Sequence, residues 1–281
     1  MNDRRKAGIM KKNYQLIAFD MDGTLLDSKK KISAATLEMI HAAAKQGKTI
    51  ALSTGRSLAE LGEHRKILSD VRYSICASGA HVVDLLDEKK IYTCPISPED
   101  ALAVLDAAED QDLMFHMLAD RSYVQADQLE RMADYNMGIY QEPFHHTGTP
   151  VDDIRAFYRD NRFPLYKLNL YNRGEAQRRL MEKRLLHLGL TMTDSEISSL
   201  ECSAPGISKG YGLIKLCEYL NIPVEETIAV GDADNDINIL ETAGLAVAMG
   251  NANDKVKAIA DVVVADNDHD GCAEAIRKYL L

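Results

Sequence analysis

Short, wholly apolar runs alternate with helical patterns at both ends of this chain, and that alternation restricts the possible folds more than any other feature. Leu16-Ile17-Ala18-Phe19 has no polar face, as expected of a strand buried on both sides of a parallel sheet. Ser33–Gln46 reads as a helix, with Ser33 placed to cap its first N–H groups and Gly47 to close it. Thr49–Leu52 is the next strand, followed by the turn Ser53-Thr54-Gly55-Arg56 and another helix; Tyr73–Cys76 is the third strand. The pattern resumes with a helix over Ser208–Leu220, a strand over Thr227–Val230 and a helix over Asp236–Glu241. Strands over Ala246–Ala248 and Val262–Val264 and a closing helix complete it. Repeated β-α-β units predict an α/β fold with a doubly wound parallel sheet.

Between Asp87 and Ile197 the texture changes. A helix (Ser97–Glu109) precedes an alternating stretch from Leu113 to Val124, and a polar loop carries Pro143, His145, His146, Gly148 and Pro150. A second helix, the alternating strand Leu165–Tyr171 and a charged helix from Glu175 to Leu188 follow. This predicts an α+β domain at 87–197 inserted into a discontinuous core of 10–86 and 198–281. Met10-Lys11-Lys12 resembles a second start, so residues 1–9 are expected to be an extension without a role in the fold.

Charge narrows the partners. With 43 acidic against 33 basic residues the formal net charge is −10, which disfavours nucleic acid and anionic membrane surfaces. No apolar run approaches the roughly 20 residues that span a bilayer. Five widely spaced cysteines (Cys76, Cys94, Cys202, Cys217, Cys272) without a C-x-x-C pair read as reduced core thiols of a cytoplasmic protein.

In open parallel sheets ligands bind beyond the carboxyl ends of the strands, and four polar clusters fall at such positions. Asp20 and Asp22 end the first strand, where alternation along extended backbone would turn both carboxylates toward one ligand. Two such charges repel unless a cation lies between them or one is protonated. Thr54-Gly55-Arg56 ends the second strand, Gly231-Asp232-Ala233-Asp234-Asn235-Asp236 ends Thr227–Val230, and Lys209 opens a helix after Pro205-Gly206-Ile207. Carboxylates for a hard cation, a hydroxyl and backbone N–H groups for phosphate oxygens, and a fixed ammonium are what Mg2+-assisted phosphoryl transfer needs.

The segments Asp20-Met21-Asp22-Gly23-Thr24-Leu25-Leu26, Ser53-Thr54-Gly55-Arg56, Gly206-Ile207-Ser208-Lys209-Gly210 and Gly231-Asp232-Ala233-Asp234-Asn235-Asp236 resemble the four motifs of the haloacid dehalogenase superfamily. Its Cof-type phosphatases, with a large α/β cap between the second and third motifs, are the most similar group. The tail Ala248-Met249-Gly250-Asn251-Ala252, with Val256-Lys257, Ala260-Asp261 and Asp270-Gly271, fits them as well. The resemblance implies a Rossmann-like core and hydrolysis of small phosphorylated metabolites, such as sugar phosphates or phosphorylated cofactors, by a monomer or dimer.

It also implies roles. Asp20 would be the nucleophile and Asp22 the acid and base, with the Asp22 backbone carbonyl facing the metal. Thr54, the N–H groups of Met21, Asp22 and Gly55, and Asn235 would hold the phosphoryl group. Lys209 would offset charge on nucleophile and phosphate, and Mg2+ would be held by Asp20, Asp22, Asp232 and Asp236. One departure is Ser78-Gly79-Ala80, where such chains commonly carry Asn-Gly-Ala; serine lacks the amide fork.

Rival readings differ in testable ways. A phosphomutase would use the same aspartyl-phosphate but return the group to product. A phospho-accepting signalling module would need neither an inserted cap nor the acid and base that Asp22 offers. A dinucleotide-binding dehydrogenase is disfavoured, because no G-x-G-x-x-G follows a strand. His145-His146 are expected in a cap loop, not on a metal. Lys167, Asn169 and Tyr171 share one strand face, either a solvated surface or a cap surface lowered over the active site. Arg178, Arg179, Lys183 and Arg184 are expected to line a solvated helix face.

Overall fold

The computed structural model describes residues 12–62, 64–194 and 197–281; the expected 1–9 extension lies outside them. In chain order the strands are β1 (Leu16–Phe19), β2 (Thr49–Ser53), β3 (Tyr73–Cys76), β4 (His81–Asp84), β5 (Lys89–Thr93), β6 (Met114–Leu118), β7 (Ser122–Gln125), β8 (Gly148–Val151), β9 (Lys167–Tyr171), β10 (Thr191–Thr193), β11 (Ser199–Ser203), β12 (Thr227–Gly231), β13 (Leu245–Ala248) and β14 (Val262–Val263). Gly55–Gly62 and Thr93–Ile207 form one compact unit, and the rest of the described chain forms another.

The larger unit is built on a sheet of order β14-β13-β12-β1-β2-β3-β4-β5. Pairing is parallel from β14 to β3 and turns antiparallel at β4. All four residues of β1 are buried, as are the five of β12, because helices pack on both faces of a parallel sheet. The first helix, Ala34–Lys45, starts where the Ser33 side chain accepts the Thr36 N–H. It stops at Gly47, whose φ of +78° few side chains tolerate. The helix expected after Arg56 is shorter than its pattern suggests: a 3-10 turn at Ala59–Leu61 and one α-turn at His64–Ile67.

Register then sets the site. Phe19 is level with Val230 on one side and with Leu52 on the other. The residues that follow, Asp20, Gly231-Asp232 and Ser53-Thr54, therefore leave the sheet at the same edge. The chain runs from β1 toward β2 and β3 in one direction and returns as β12 and β13 on the other side, which makes β1–β12 the switch point where such sheets bind ligands.

The smaller unit carries a sheet of order β10-β11-β9-β6-β7-β8, antiparallel except between β7 and β8. Phe115, Met117, Leu168, Leu170, Leu200 and Cys202 form one apolar face. It packs on Val104, Tyr158 and Met181 from the helices Pro98–Ala107, Ile154–Asn161 and Glu175–Leu185. The opposite face is not solvated: Lys167, Asn169 and Tyr171 are all buried. Lys167 Nζ pairs with Glu201 Oε2 at 2.8 Å, and Tyr171 OH lies 3.2 Å from His116 Nδ1. His116 Nε2 in turn lies 3.2 Å from Glu60 Oε1.

The polar loop expected around His145 is instead a helix, Gln141–Thr147, followed by β8. Phe144 is buried and gives the helix an inward face. Pro143 sits in its first turn, where a missing N–H costs nothing, and Pro150 lies on an edge strand, where proline is tolerated. His145 and His146 have Glu130 and Glu142 as partners. The basic helix is less solvated than expected, since Arg178 is held by Asp194 and Arg184 by Asp110 and the Ala107 carbonyl. All five cysteines are free thiols. Among the described residues no helix is long and apolar enough to cross a membrane.

Candidate active site

Each functional side chain stands where a buried strand or a capped helix ends. Asp20 follows β1 and is only 6% exposed. Lys209 opens the helix Lys209–Leu220, whose first turn is capped by Ser208 Oγ accepting from Tyr211 N. Its ammonium donates to Asp20 Oδ1 at 2.7 Å and to Asp236 Oδ1 at 2.7 Å. Asp236 is fully buried, and its Oδ2 accepts from the N–H groups of Asp232 and Ala233 at 3.0 and 3.2 Å. It therefore fastens the loop after β12 as well as the lysine. Thr24 Oγ1 donates to Asp232 Oδ1 at 2.7 Å, closing a chain from the first motif to the fourth.

Two glycines permit this crowding. A Cβ on Gly23, whose φ is +83°, would stand 2.5 Å from Asp232 Oδ2. A Cβ on Gly79, at φ +104°, would stand 1.9 Å from the Ser208 carbonyl, next to Lys209. Gly79 belongs to a turn in which Ala77 and Ser78 also have positive φ, 49° and 54°. The Ser78 N–H donates to the Thr54 carbonyl at 3.0 Å, and the Thr54 N–H donates to Ile75 at 2.8 Å. The strained turn thus links Thr54 to the helix that carries Lys209. Ser78, the departure from the family pattern, contributes its backbone here, which any residue supplies.

Asp22 lies in a turn and not on the extended backbone that alternation assumes. The backbone leaves the strand at Asp20: Leu25 N donates to Asp20 O and Leu26 N to Met21 O. In this turn Asp22 Oδ1 meets Lys30 Nζ at 2.8 Å. The carboxylates that lie together, within 4.8 Å of one another, are Asp20, Asp232 and Asp236. Thr54 is buried at the end of β2; Gly55 continues directly from it and begins the smaller unit. Met21 is fully buried and offers only backbone to a ligand. Asn235 Oδ1 is buried without a hydrogen-bond partner.

Three carboxylates share one ammonium, and their proton affinities record the imbalance. Burial, then the charge of Asp236, push Asp20 up to about 8 against the pull of Lys209. Burial also pushes Asp232 up to about 6, opposed by the Thr24 hydrogen bond. Burial works against the charge on Lys209, but Asp20 and Asp236 outweigh it and hold the ammonium protonated far above the usual lysine range. A second cation would relieve this repulsion. The clustered carboxylates and the unpartnered Asn235 oxygen fit a hard, oxygen-seeking ion.

Sequence reasoning had no signal for two contributors. Thr24 lies inside a recognised motif, but its hydrogen bond to Asp232 arises only when β1 and β12 pair. Lys30 lies in the run Lys29-Lys30-Lys31 and reaches Asp22 because Asp27 Oδ1 accepts the Lys29 and Lys31 N–H groups, both at 2.8 Å, folding a turn beneath it.

This fold and site belong to a family. The chain is a member of the haloacid dehalogenase-like hydrolases, whose family model matches residues 17–276. It is 31% identical over 297 residues to the phosphatase YwpJ of Bacillus subtilis, covering 95% of this chain and all of that protein. The pyridoxal phosphate phosphatase YbhA of Escherichia coli is 28% identical, over 95% of this chain and 99% of its own. A solved haloacid dehalogenase-like hydrolase from B. subtilis superposes with a TM-score of 0.83 at 28% identity, covering 95% of this chain and 100% of that one. The chain is therefore an enzyme of the phosphoric monoester hydrolase class.

Proposed function

We propose that this enzyme is a Mg2+-dependent phosphatase of small phosphorylated metabolites that works through an aspartyl-phosphate on Asp20. The observation that carries the reading is Asp20 itself: a buried carboxylate at the sheet's switch point, held by one oxygen on Lys209. In the first step the other oxygen of Asp20 attacks phosphorus, and the bond from phosphorus to the ester oxygen breaks. Asp22 gives its proton to the departing alkoxide. In the second step Asp22 takes a proton from water as that water attacks phosphorus; the acyl-phosphate bond breaks, orthophosphate leaves and Asp20 is restored.

Thr54, Asn235 and the N–H groups of Met21, Asp22 and Gly55 would hold the phosphoryl oxygens, and Lys209 would balance the charge that builds on them. Asp20, Asp232 and the Asp22 carbonyl would hold Mg2+, with Asp236 orienting a water on it. When bound, the ion neutralises phosphoryl charge and aligns the phosphorus with the nucleophile. The E. coli relative's named substrate, pyridoxal phosphate, supports a phosphorylated cofactor as the substrate class. The free thiols support a reducing, cytoplasmic setting.

Phosphate release over a panel of sugar phosphates and phosphorylated cofactors tests the reading. Orthophosphate should appear, cease with EDTA and return with Mg2+. An isomerised phosphate ester in place of free phosphate would establish the mutase, and a long-lived phosphoprotein without turnover would establish the signalling module.

A further inference from the structure

The loop that follows Asp22 is held by side chains from the far end of the sequence. Asn251 Nδ2 donates to the Gly23 carbonyl at 2.8 Å, and Asn267 Nδ2 donates to the Leu26 carbonyl at 2.9 Å. The Ser28 N–H donates to Asp268 Oδ1 at 2.9 Å. These partners are 228 to 241 residues apart in sequence. The two residues are also joined, since Asn251 Oδ1 accepts the backbone N–H of Asn267 at 3.1 Å. Both ends of the Asn251 amide are thereby specified, one as donor and one as acceptor. The segment bearing Asn251 is itself tied to the metal-side loop, because Asn253 N donates to the Asp232 carbonyl at 3.2 Å.

Gly23 explains why such an anchor matters. With a φ of +83° it is the most conformationally free residue of the loop. The rigid peptide groups on its two sides carry the Asp22 carbonyl and the Thr24 N–H. Pinning the Gly23 carbonyl removes rotation at the point that sets both Asp22 and Thr24, the residue that supports Asp232. We propose that Asn251, Asn267 and Asp268 form a clasp that positions the Asp20–Ser28 loop for phosphoryl transfer without touching the substrate. The inference rests on the phosphatase reading above. Asn251 and Asp268 are exposed, so water replaces their hydrogen bonds at little cost to stability. Loss of the clasp therefore acts on loop geometry more than on folding.

Asn251→Asp is the sharpest probe: it keeps the shape and the acceptor toward Asn267 but turns an oxygen against the Gly23 carbonyl. Two measurements are needed, steady-state kinetics on a phosphomonoester and the rise in Tm on adding Mg2+ with orthovanadate. The expected result is a kcat lower by about 10- to 100-fold, the usual cost of losing an outer-layer partner. KM should change little, the ligand-free Tm should stay close to wild type, and the Tm rise should shrink. Asn267→Ala should move kcat and the Tm rise the same way by a smaller factor. Wild-type values of both readouts in both variants would overturn the clasp alone. Failure of both variants to fold would overturn it too, by making the contacts a folding requirement. A wild type with neither phosphatase activity nor the Tm rise would overturn the phosphatase reading and the clasp with it.

Discussion

Two buried carboxylates, one in each unit, show opposite electrostatics. Asp20 sits among Asp232 and Asp236 with one lysine between them, and it is pushed up to about 8 by burial and by Asp236. Glu60, in the smaller unit, is equally buried, yet the His116 ring and the Ser57 backbone overcome that burial and hold it down at about 2. The Ser57 N–H reaches Glu60 Oε2 at 2.6 Å. In the smaller unit the buried Glu60 meets His116 and the buried Glu201 meets Lys167. At the site in the larger unit Asp20, Asp232 and Asp236 cluster around Lys209. A buried charge is tolerable only when paired, so the balanced set reads as finished structure, whereas the unbalanced set still needs a cation.

The comparison breaks most visibly at Asp20. Asp20→Asn should lower kcat by about 10^4-fold or more, as loss of a nucleophile does, with the fold intact by circular dichroism; undiminished turnover with Mg2+ present would remove Asp20 from the nucleophile role. The next largest effect belongs to the balanced pair. Glu201→Gln removes the buried carboxylate 2.8 Å from the Lys167 ammonium and should cost up to about 3–5 kcal/mol of stability in urea unfolding. The double replacement Lys167→Met with Glu201→Leu should recover most of that loss, and a double variant as unstable as the single one would show that the pair is not self-contained.

Thr24→Val then tests the bridge between the first and fourth motifs. It removes a 2.7 Å hydrogen bond to a carboxylate and should cost about 1.5–3 kcal/mol, with a higher Mg2+ concentration needed for half-maximal activity. An unchanged Mg2+ requirement would reduce Thr24 to a packing residue.

The last contrast is one of pH dependence. Asp20 is raised in the folded state, so the metal-free fold binds more protons than the unfolded chain, and stability falls as pH climbs from about 4 toward 8. Asp232, raised to about 6, adds to that decline in the lower part of the range. Glu60 is lowered, so its contribution is complete above the ordinary glutamate range and is lost as pH falls from about 4.5 toward 2. Tm profiles of wild type, Asp20→Asn and Glu60→Gln in EDTA should separate the two. Flattening of the neutral-side decline in Asp20→Asn, and of the acid-side loss in Glu60→Gln, is the expected outcome; identical profiles for all three would end the comparison.

Much of this was legible in the sequence. The apolar run Leu16–Phe19 and its counterpart Thr227–Val230 announce buried parallel strands, and the polar clusters after them mark the site, because strand burial and chain direction are local properties. The family was legible for the same reason: its motifs are short and contiguous. The error over His145 and His146 has a physical origin, since proline and glycine suggest a loop until Phe144 finds an apolar pocket that only the assembled sheet provides. The solvated reading of Lys167, Asn169 and Tyr171 failed similarly, because strand alternation reveals that residues share a face but not what covers it.

Sequence alone determined the class of fold, the family and the residue types available for phosphoryl transfer, since each is written in local patterns of polarity and spacing. Tertiary structure decided how those residues are used. The turn after Asp20 brings Asp22 to Lys30, and the pairing of β1 with β12 gathers Asp20, Asp232 and Asp236 around Lys209. The asparagines near the far end of the chain reach back to Gly23 and Leu26. Carboxylates interact through distance and dielectric, and neither is set until strands far apart in sequence lie side by side.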